Sequence, residues 1–253
     1  MKYYEQMVSM GCFSRQDIAV LSGSDAAAGS LLQSYLSKGY IESVRHNCYA
    51  VISLETKQPV LSRYQIGAKL FPDACISHHS AFELYGYANQ VFYETYVSTN
   101  SRFADFAYNG VFYHRVAPKR KIWPVQVGGA SATGLERTVI DSINDFEKIA
   151  GLEETLRCLM LIPSLQSDEL LNVLSLYDNG YLYQKCGYIL ESLNDSLHLP
   201  DQFFNVCMEK RSDSKRYLTK GRDHLVWNPK WRLYVPESIQ AITDKGVTDY
   251  DAI

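Results

Sequence analysis

Two adjacent histidines, His78 and His79 in the run ISHHSAFELYGY, and six cysteines (Cys12, Cys48, Cys75, Cys158, Cys186, Cys207) are the side chains best suited to hold a metal or attack a substrate. The histidines fall in a helical pattern. Neighbours on a helix project about 100° apart, so one ion does not readily take both. His114 stands alone in a strand-like segment, and no His-Glu-x-x-His or third ligand at a metal-binding spacing accompanies these residues. The cysteines form no C-x-x-C pair, a pattern that suits free, buried thiols in a reducing cytosol and argues against a structural zinc site. A restriction-type nuclease needs paired carboxylates beside a lysine, and Pro72-Asp73 is followed by no such run. Neither Gly23-Ser24 nor Gly29-Ser30 is followed at short range by the D-x-D pair that nucleotidyl transfer needs, since Asp249 and Asp251 stand at the far end of the chain, and there is no nucleophile elbow. The expectation is a protein that is not an enzyme, binds no cofactor or metal, and keeps its histidines in hydrogen-bonded structural roles.

A different chemistry is open nearer the N-terminus, where Arg15, Gln16, Ser30, Gln33, Ser34, Lys38, Arg45 and His46 offer hydrogen bonds to phosphates and base edges. The elements that position them are legible. Ser14 and Asp17 have the spacing of a capping box, with Phe13 and Ile18 placed for the accompanying hydrophobic staple. That helix ends near Ser22-Gly23 and a second begins at about Ser24. In the second, Ala28, Leu31, Leu32, Tyr35 and Leu36 form one apolar stripe, and the opposite face carries Ser30, Gln33, Ser34, Ser37 and Lys38. Gly39 is placed to close it in a left-handed conformation. Strands at 40–44 and 49–53 follow, joined by Arg45-His46-Asn47-Cys48, in which Asn47 tolerates positive φ. Helix, short turn, helix and β-ribbon is a winged helix-turn-helix arrangement, whose second helix can enter a major groove beside the ribbon. Residues 1–60 carry five basic and five acidic side chains, so no broad positive field supports this reading. The alternative is a winged-helix protein-interaction adaptor without sequence-specific DNA binding.

With 46% hydrophobic residues among 253, the chain can bury a substantial core. The N-terminus shows no basic region followed by an apolar run, so no signal peptide is expected, and no apolar stretch nears a membrane span. The expected architecture is α+β: a winged helix-turn-helix over 1–60, a mixed α/β domain with a helical block over 61–240, and a tail at 241–253. SLETKQPVL, at 53–61, marks the boundary. Helices are expected over VLSRYQIGAKLF and from Ser77 to Tyr85, and strands in VFYETYVST, GVFYHRVA and KRKIWPVQVG. From 133 to 195 the pattern is helical, opened by a capping box at Thr133 and Glu136, and residues 141–200 hold ten acidic against three basic side chains. A strand pair is expected in LVWNPKWRLYVP. Lys119, Arg120 and Lys121, together with Lys210, Arg211, Lys215, Arg216, Lys220 and Arg222, are candidates for a second contact with an anionic partner, or for a solvated surface.

The order winged helix, ISHHSAFELYGY, GLERTVIDSI, YLYQKCGYILESL and a strand near WRLYV resembles the AbiEi antitoxins over roughly residues 5–236. The strongest parts are the SHHSAFELYGY helix, Glu136-Arg137-Thr138 with Asp141, and Gly187-Tyr188 with Leu190 and Glu191. The resemblance implies a cytoplasmic transcriptional repressor, the antitoxin of a type IV toxin–antitoxin (abortive infection) system. Its partners would be double-stranded DNA at inverted repeats in its own promoter and, functionally, a co-encoded nucleotidyltransferase-like toxin, with no membrane. Departures from the family pattern are RHNC at the wing tip, where a glycine is usual, and QKC before Gly187. Arg137 and Asp141, one helical turn apart, are either an internal ion pair or a binding feature.

Overall fold

The computed structural model describes residues 2–221 and 224–244; Arg222 and residues 245–253 of the expected tail lie outside that range. The fold is mixed α and β. The chain forms two compact units that are not contiguous in sequence. One holds Met1–Ile76, Phe92–Pro118 and Gln126–Ala132; the other holds Ser77–Val91, Lys119–Val125 and Thr133–Ile253. The contacts thus divide elsewhere than the boundary expected near residue 60, because residues 1–60 belong to the same unit as a sheet built from later segments.

The first unit opens with α1 (Tyr4–Met10), β1 (Cys12–Phe13), α2 (Arg15–Ser22), α3 (Asp25–Ser37), β2 (Ile41–Arg45) and β3 (Cys48–Val51). The strands form an antiparallel sheet in the order β1-β3-β2. Both halves of the Ser14–Asp17 capping box are made, and Ser24 caps α3 by accepting from the Ala27 amide at 3.1 Å. Gly39 (φ 67°) and Asn47 (φ 55°) take the left-handed conformations their positions require. Phe13, Ile18, Ala28, Leu32, Tyr35, Ile41 and Val51 share one buried cluster with Met7. Leu36, expected in that stripe, is 39% exposed. At 100° per residue it sits about 80° round the helix from Ala28, at the edge of the buried face.

The rest of this unit is α4 (Arg63–Ala68), capped by Ser62 and Gln65, and a six-stranded sheet. Its strands are β4 (Cys75–Ile76), β5 (Glu94–Ser98), β6 (Phe106–Tyr108), β7 (Val111–Val116), β8 (Val125–Val127) and β9 (Ala130–Ala132), in the order β6-β7-β5-β4-β9-β8. The β6–β7 hairpin turns on Asn109-Gly110, both at positive φ, a signal present in the sequence. Tyr108 on β6 donates to Glu42 on β2 at 3.0 Å, which ties the sheet to the N-terminal elements.

The second unit is helical around one core. It contains α5 (His78–Tyr85), α6 (Leu135–Asn144), a 3-10 turn (Phe146–Ile149), α7 (Leu152–Met160), α8 (Ser167–Tyr177), α9 (Gly180–Ser192), α10 (Asn194–Leu197), α11 (Asp201–Lys210) and α12 (Ile239–Asp244). A small sheet joins β10 (Arg216–Tyr217), β12 (Leu233–Pro236) and β11 (Leu225–Asn228) in that order. Among the described residues no helix is long and apolar enough to cross a membrane.

α9 is buried on every side from Leu182 to Leu190. The Trp231 indole, fully buried, lies where a Cβ on Gly187 would be, 2.1 Å from its nearest ring atom. One turn further on, Glu191 accepts the indole N–H at 2.8 Å and pairs with Lys230. The expected capping box at Thr133 and Glu136 does not form: the N-cap is Gly134, one residue on. Thr133 instead meets the Thr138 hydroxyl at 2.7 Å, and Glu136 accepts from the Gln166 amide at 3.0 Å. Arg137 and Asp141 are a buried ion pair at 2.7 Å, and Tyr177 donates to the same carboxylate oxygen at 2.5 Å. Arg137 also donates to the Lys121 carbonyl at 3.0 Å and lies over the Tyr177 ring. Burial pushes the Asp141 pKa up, against the pull of Arg137 and Tyr177.

Two substitutions test this core. Gly187→Ala should lower unfolding free energy by roughly 1–3 kcal/mol in urea titrations, as overpacking does, and by clearly less in a Trp231→Leu background. Asp141→Ala, which leaves the Arg137 charge buried and unpaired, should cost roughly 3–5 kcal/mol, whereas Arg137→Met with Asp141→Leu should recover most of that loss.

Candidate nucleic-acid interface

The starts of α2 and α3 and the β2–β3 turn bring two of the N-terminal candidates, Arg15 and His46, into one neighbourhood. The Arg15 amide, at the start of α2, donates to Asn47 Oδ1 in the β2–β3 turn at 3.0 Å. The Arg15 guanidinium grips Asp25, the first residue of α3, with Nε to Oδ1 at 2.7 Å and Nη2 to Oδ2 at 2.6 Å. The fork lies against Gly29, where a Cβ would come within 3.1 Å of it. Arg15 lowers the Asp25 pKa through its hydrogen bond. The first turns of both helices and the ribbon tip therefore meet at Arg15, with His46 exposed beside Asn47.

Gln16, Ser30, Gln33 and Lys38 are exposed, and Ser34 is half-buried. The Ser30 hydroxyl donates back to the Ala26 carbonyl at 3.2 Å. Arg45 does not stand free at the ribbon tip as the sequence suggests. It is half-buried, 4.8 Å from the Phe71 ring centre and 5.5 Å from that of Phe103, and the two rings stack on each other. Asp25, Phe71 and Phe103 are thus the residues that sequence reading missed. Asp25 is visible as an acid in the first turn of α3. Nothing in the spacing connects Phe71 or Phe103 to Arg45, because two separate loops, one after α4 and one after β5, bring them there.

The second basic set, in the other unit, is largely engaged. Arg120 donates to the carbonyls of Leu176 (2.5 Å) and Tyr177 (3.2 Å), satisfying the open end of α8. Arg211 donates to the Met208 carbonyl at 2.5 Å, near the end of α11. Lys121 lies over Trp123 and Lys215 over Trp227. Lys119, Lys210 and Arg216 are exposed.

The histidines and thiols occupy buried positions. All six cysteines are buried, and none is in a disulfide. Cys12 and Cys48, far apart in sequence, have sulfurs 3.3 Å apart across β1 and β3. His79 bridges two carboxylates, with Nδ1 3.3 Å from Glu83 and Nε2 3.1 Å from Glu154. Cys158 donates to Glu154 at 3.4 Å. The potential ligand atoms of His79, Glu154 and Cys158 lie within 4.8 Å of one another, a grouping that sequence spacing hid. In the structure these atoms hydrogen-bond to each other. Burial opposes a charge on His79, yet its hydrogen bonds to Glu154 and Glu83 outweigh this and raise its pKa. Burial likewise opposes the Glu154 charge, and bonds from His79 and Cys158 overcome it, lowering that pKa.

His78 behaves in the opposite way. It is the first residue of α5, at φ 53°, with its Nδ1 3.0 Å from the Ser77 hydroxyl. Complete burial, aided by Lys148, Lys119 and Arg137 against the opposing Asp145, pushes its pKa from 6.5 down to about 3. Between those values the unfolded chain holds a proton that the folded chain refuses, so His78 removes stability as pH falls through 6.5. His79 has the reverse sign. Its contribution is full below 6.5 and is lost as pH rises through its folded value. Asn tolerates the left-handed backbone and does not titrate. His78→Asn should therefore narrow the drop in urea stability between about pH 6.5 and 4.5, by up to about 1.4 kcal/mol per pH unit. A gap between variant and wild type that stays constant over this window would refute the assignment.

No family model matches the chain, and no curated protein matches it either. Among solved structures it is similar to the crystal structure of the RV2827C protein from Mycobacterium tuberculosis, with a TM-score of 0.64 at 13% identity. The match covers 98% of this chain and 94% of that one, so the two share a fold along their length.

Proposed function

We propose that the protein is a DNA-binding repressor of its own operon, acting at inverted repeats through a winged helix-turn-helix formed by α1–α3 and β1–β3. In this reading it is a cytoplasmic, AbiEi-like antitoxin of a type IV toxin–antitoxin system, paired functionally with a nucleotidyltransferase-like toxin. The observation that carries the DNA-binding part is the element order helix, strand, helix, helix, strand, strand, with the sheet closing as β1-β3-β2. α3 presents Ser30, Gln33 and Lys38 to solvent on the face away from its core. The antitoxin part rests on the AbiEi-like motifs alone. A protein-docking role for the same module is the second reading, favoured by Val20 at 77% exposure on α2.

The engagement of Arg15 by Asp25 and of Arg45 by Phe71 and Phe103 shapes what DNA binding should look like. Few cations remain for phosphates, so the affinity of the full chain should depend weakly on salt, with a slope of about two to three in log–log form. Asp25→Ala should free Arg15, tighten binding to all duplexes alike and steepen the slope by about 0.9. Gln33→Ala should relax choice at one or two base pairs, at roughly 1–3 kcal/mol per lost base contact. Fluorescence anisotropy with the upstream region of its own gene and a scrambled duplex decides the matter. Equal affinity for the two, unmoved by Gln33→Ala, refutes sequence-specific binding. Because residues 1–60 share a compact unit with later segments, separation of functions is tested in the full chain. Gln33→Ala with Lys38→Ala should lose repression and still protect cells expressing the adjacent toxin gene. Failure of the wild-type chain to protect refutes the antitoxin reading.

A further inference from the structure

A cavity of about 730 Å³ lies within the second unit, walled by Phe146, Leu152, Tyr181, Lys185, Arg216 and Tyr217 among others. Three features of its wall point the same way. The first is Lys185, from the buried helix α9 and only 5% exposed. Its ammonium donates to the Asn144 carbonyl at 3.2 Å and lies 4.3 Å from the Phe146 ring centre and 5.5 Å from that of Tyr181. Among the described residues no carboxylate forms an ion pair with it, whereas the buried Arg137 of the same unit has Asp141. An ammonium out of water without a directly bonded carboxylate is costly, and burial lowers its pKa to about 8 although Cys186 and the Asp145 charge pull the other way. The second is the state of the acids on the wall: Asp145 pairs with Lys148 and Glu147 with Lys220. Among the described residues Lys185 and Arg216 are thus the cations of the wall without an ion-paired acid, and Arg216 lies over the Tyr181 ring at 6.0 Å. The third is aromatic surface. Phe146, Tyr181 and Tyr217 all line the space, and the Tyr181 hydroxyl, donating to the Tyr217 carbonyl, holds its ring in place. A concave, largely apolar pocket with a few convergent polar groups, open to solvent on the side of Arg216 and Tyr217, is a usual form of a small-molecule site.

We propose that this cavity binds a small molecule with one planar ring and one phosphate or carboxylate group, the ring lying among Phe146, Tyr181 and Tyr217 and the anion meeting Lys185 and Arg216. The site is separate from the α3 face, and it stands whether or not that face binds DNA.

Pyridoxal 5′-phosphate is a suitable probe, since it joins a planar ring, a phosphate and an aldehyde. With this probe Arg216 alone meets the phosphate, while the neutral fraction of the Lys185 amine attacks the aldehyde carbon, water leaves, and the imine is trapped by hydride from borohydride as a secondary amine. The full-length protein would be labelled near pH 7.5, reduced, digested and mapped by mass spectrometry. Labelling should concentrate on Lys185 at concentrations about tenfold below those needed for Lys119, Lys210 or Lys215. Pyridoxal, which lacks the phosphate, should need about tenfold more, as expected for losing one charge-assisted contact. Arg216→Ala, a change at an exposed position, should narrow that gap. Phenyl phosphate should protect Lys185 better than the same concentration of inorganic phosphate. Labelling spread over surface lysines with Lys185 spared, equal labelling by the two aldehydes, a gap unmoved by Arg216→Ala, or no advantage of phenyl phosphate over inorganic phosphate would each overturn the proposal.

Discussion

The seating of Trp231 on Gly187 is the constraint around which the second unit is arranged. A helix buried on every side must leave room for its neighbours, and here the room is one missing methyl group. The indole fills it, and its N–H is satisfied by Glu191 on the same face of α9. That contact fixes the loop before β12, hence the small sheet and the position of Arg216 and Tyr217 on it. Gln184, two turns N-terminal to Glu191 on α9, donates to the Trp231 and Arg232 carbonyls, so the same helix holds both side chain and backbone of this loop.

Charges inside this unit are treated in two ways. Arg137 with Asp141, and His79 with Glu83 and Glu154, are matched with opposite partners and further hydrogen bonds. In a medium of low polarizability such groups are tolerable only when matched. Lys185 follows the other course, with aromatic faces and one carbonyl in place of a carboxylate. The contrast between groups on adjacent helices makes the cavity beside Lys185 chemically distinct from an ordinary packing gap.

In the first unit the same principle works at the surface. Arg15 is used to join the starts of α2 and α3, and Arg45 to cover Phe71 and Phe103. Cations spent on internal geometry do not contribute a broad positive field. The DNA binding proposed above would then rest on the shape and polar groups of one helix face and on short-range contacts that salt screens little.

The sequence by itself determined the local elements. The capping box at Ser14, glycines at 23, 39 and 86, and apolar periodicity place α2, α3 and α5 closely, because each of these signals acts within one or two turns, whereas α4 occupies only Arg63–Ala68 of the longer run VLSRYQIGAKLF. It also marked Arg137 with Asp141 and Gly187 with Glu191 as special without saying why. The cap at Thr133 failed because a one-residue shift of a helix start is beyond what spacing resolves. Only the tertiary structure decided which distant residues meet: Phe71 and Phe103 against Arg45, Glu154 and Cys158 beside His79, Trp231 on Gly187, and Arg216 across from Lys185. Such partners are chosen by the closing of sheets and the packing of helices, processes in which separation along the chain carries no information. The division into two interleaved units was hidden for the same reason, since sheet pairing joined β4 to β9 and β5 to β7 across long intervening segments.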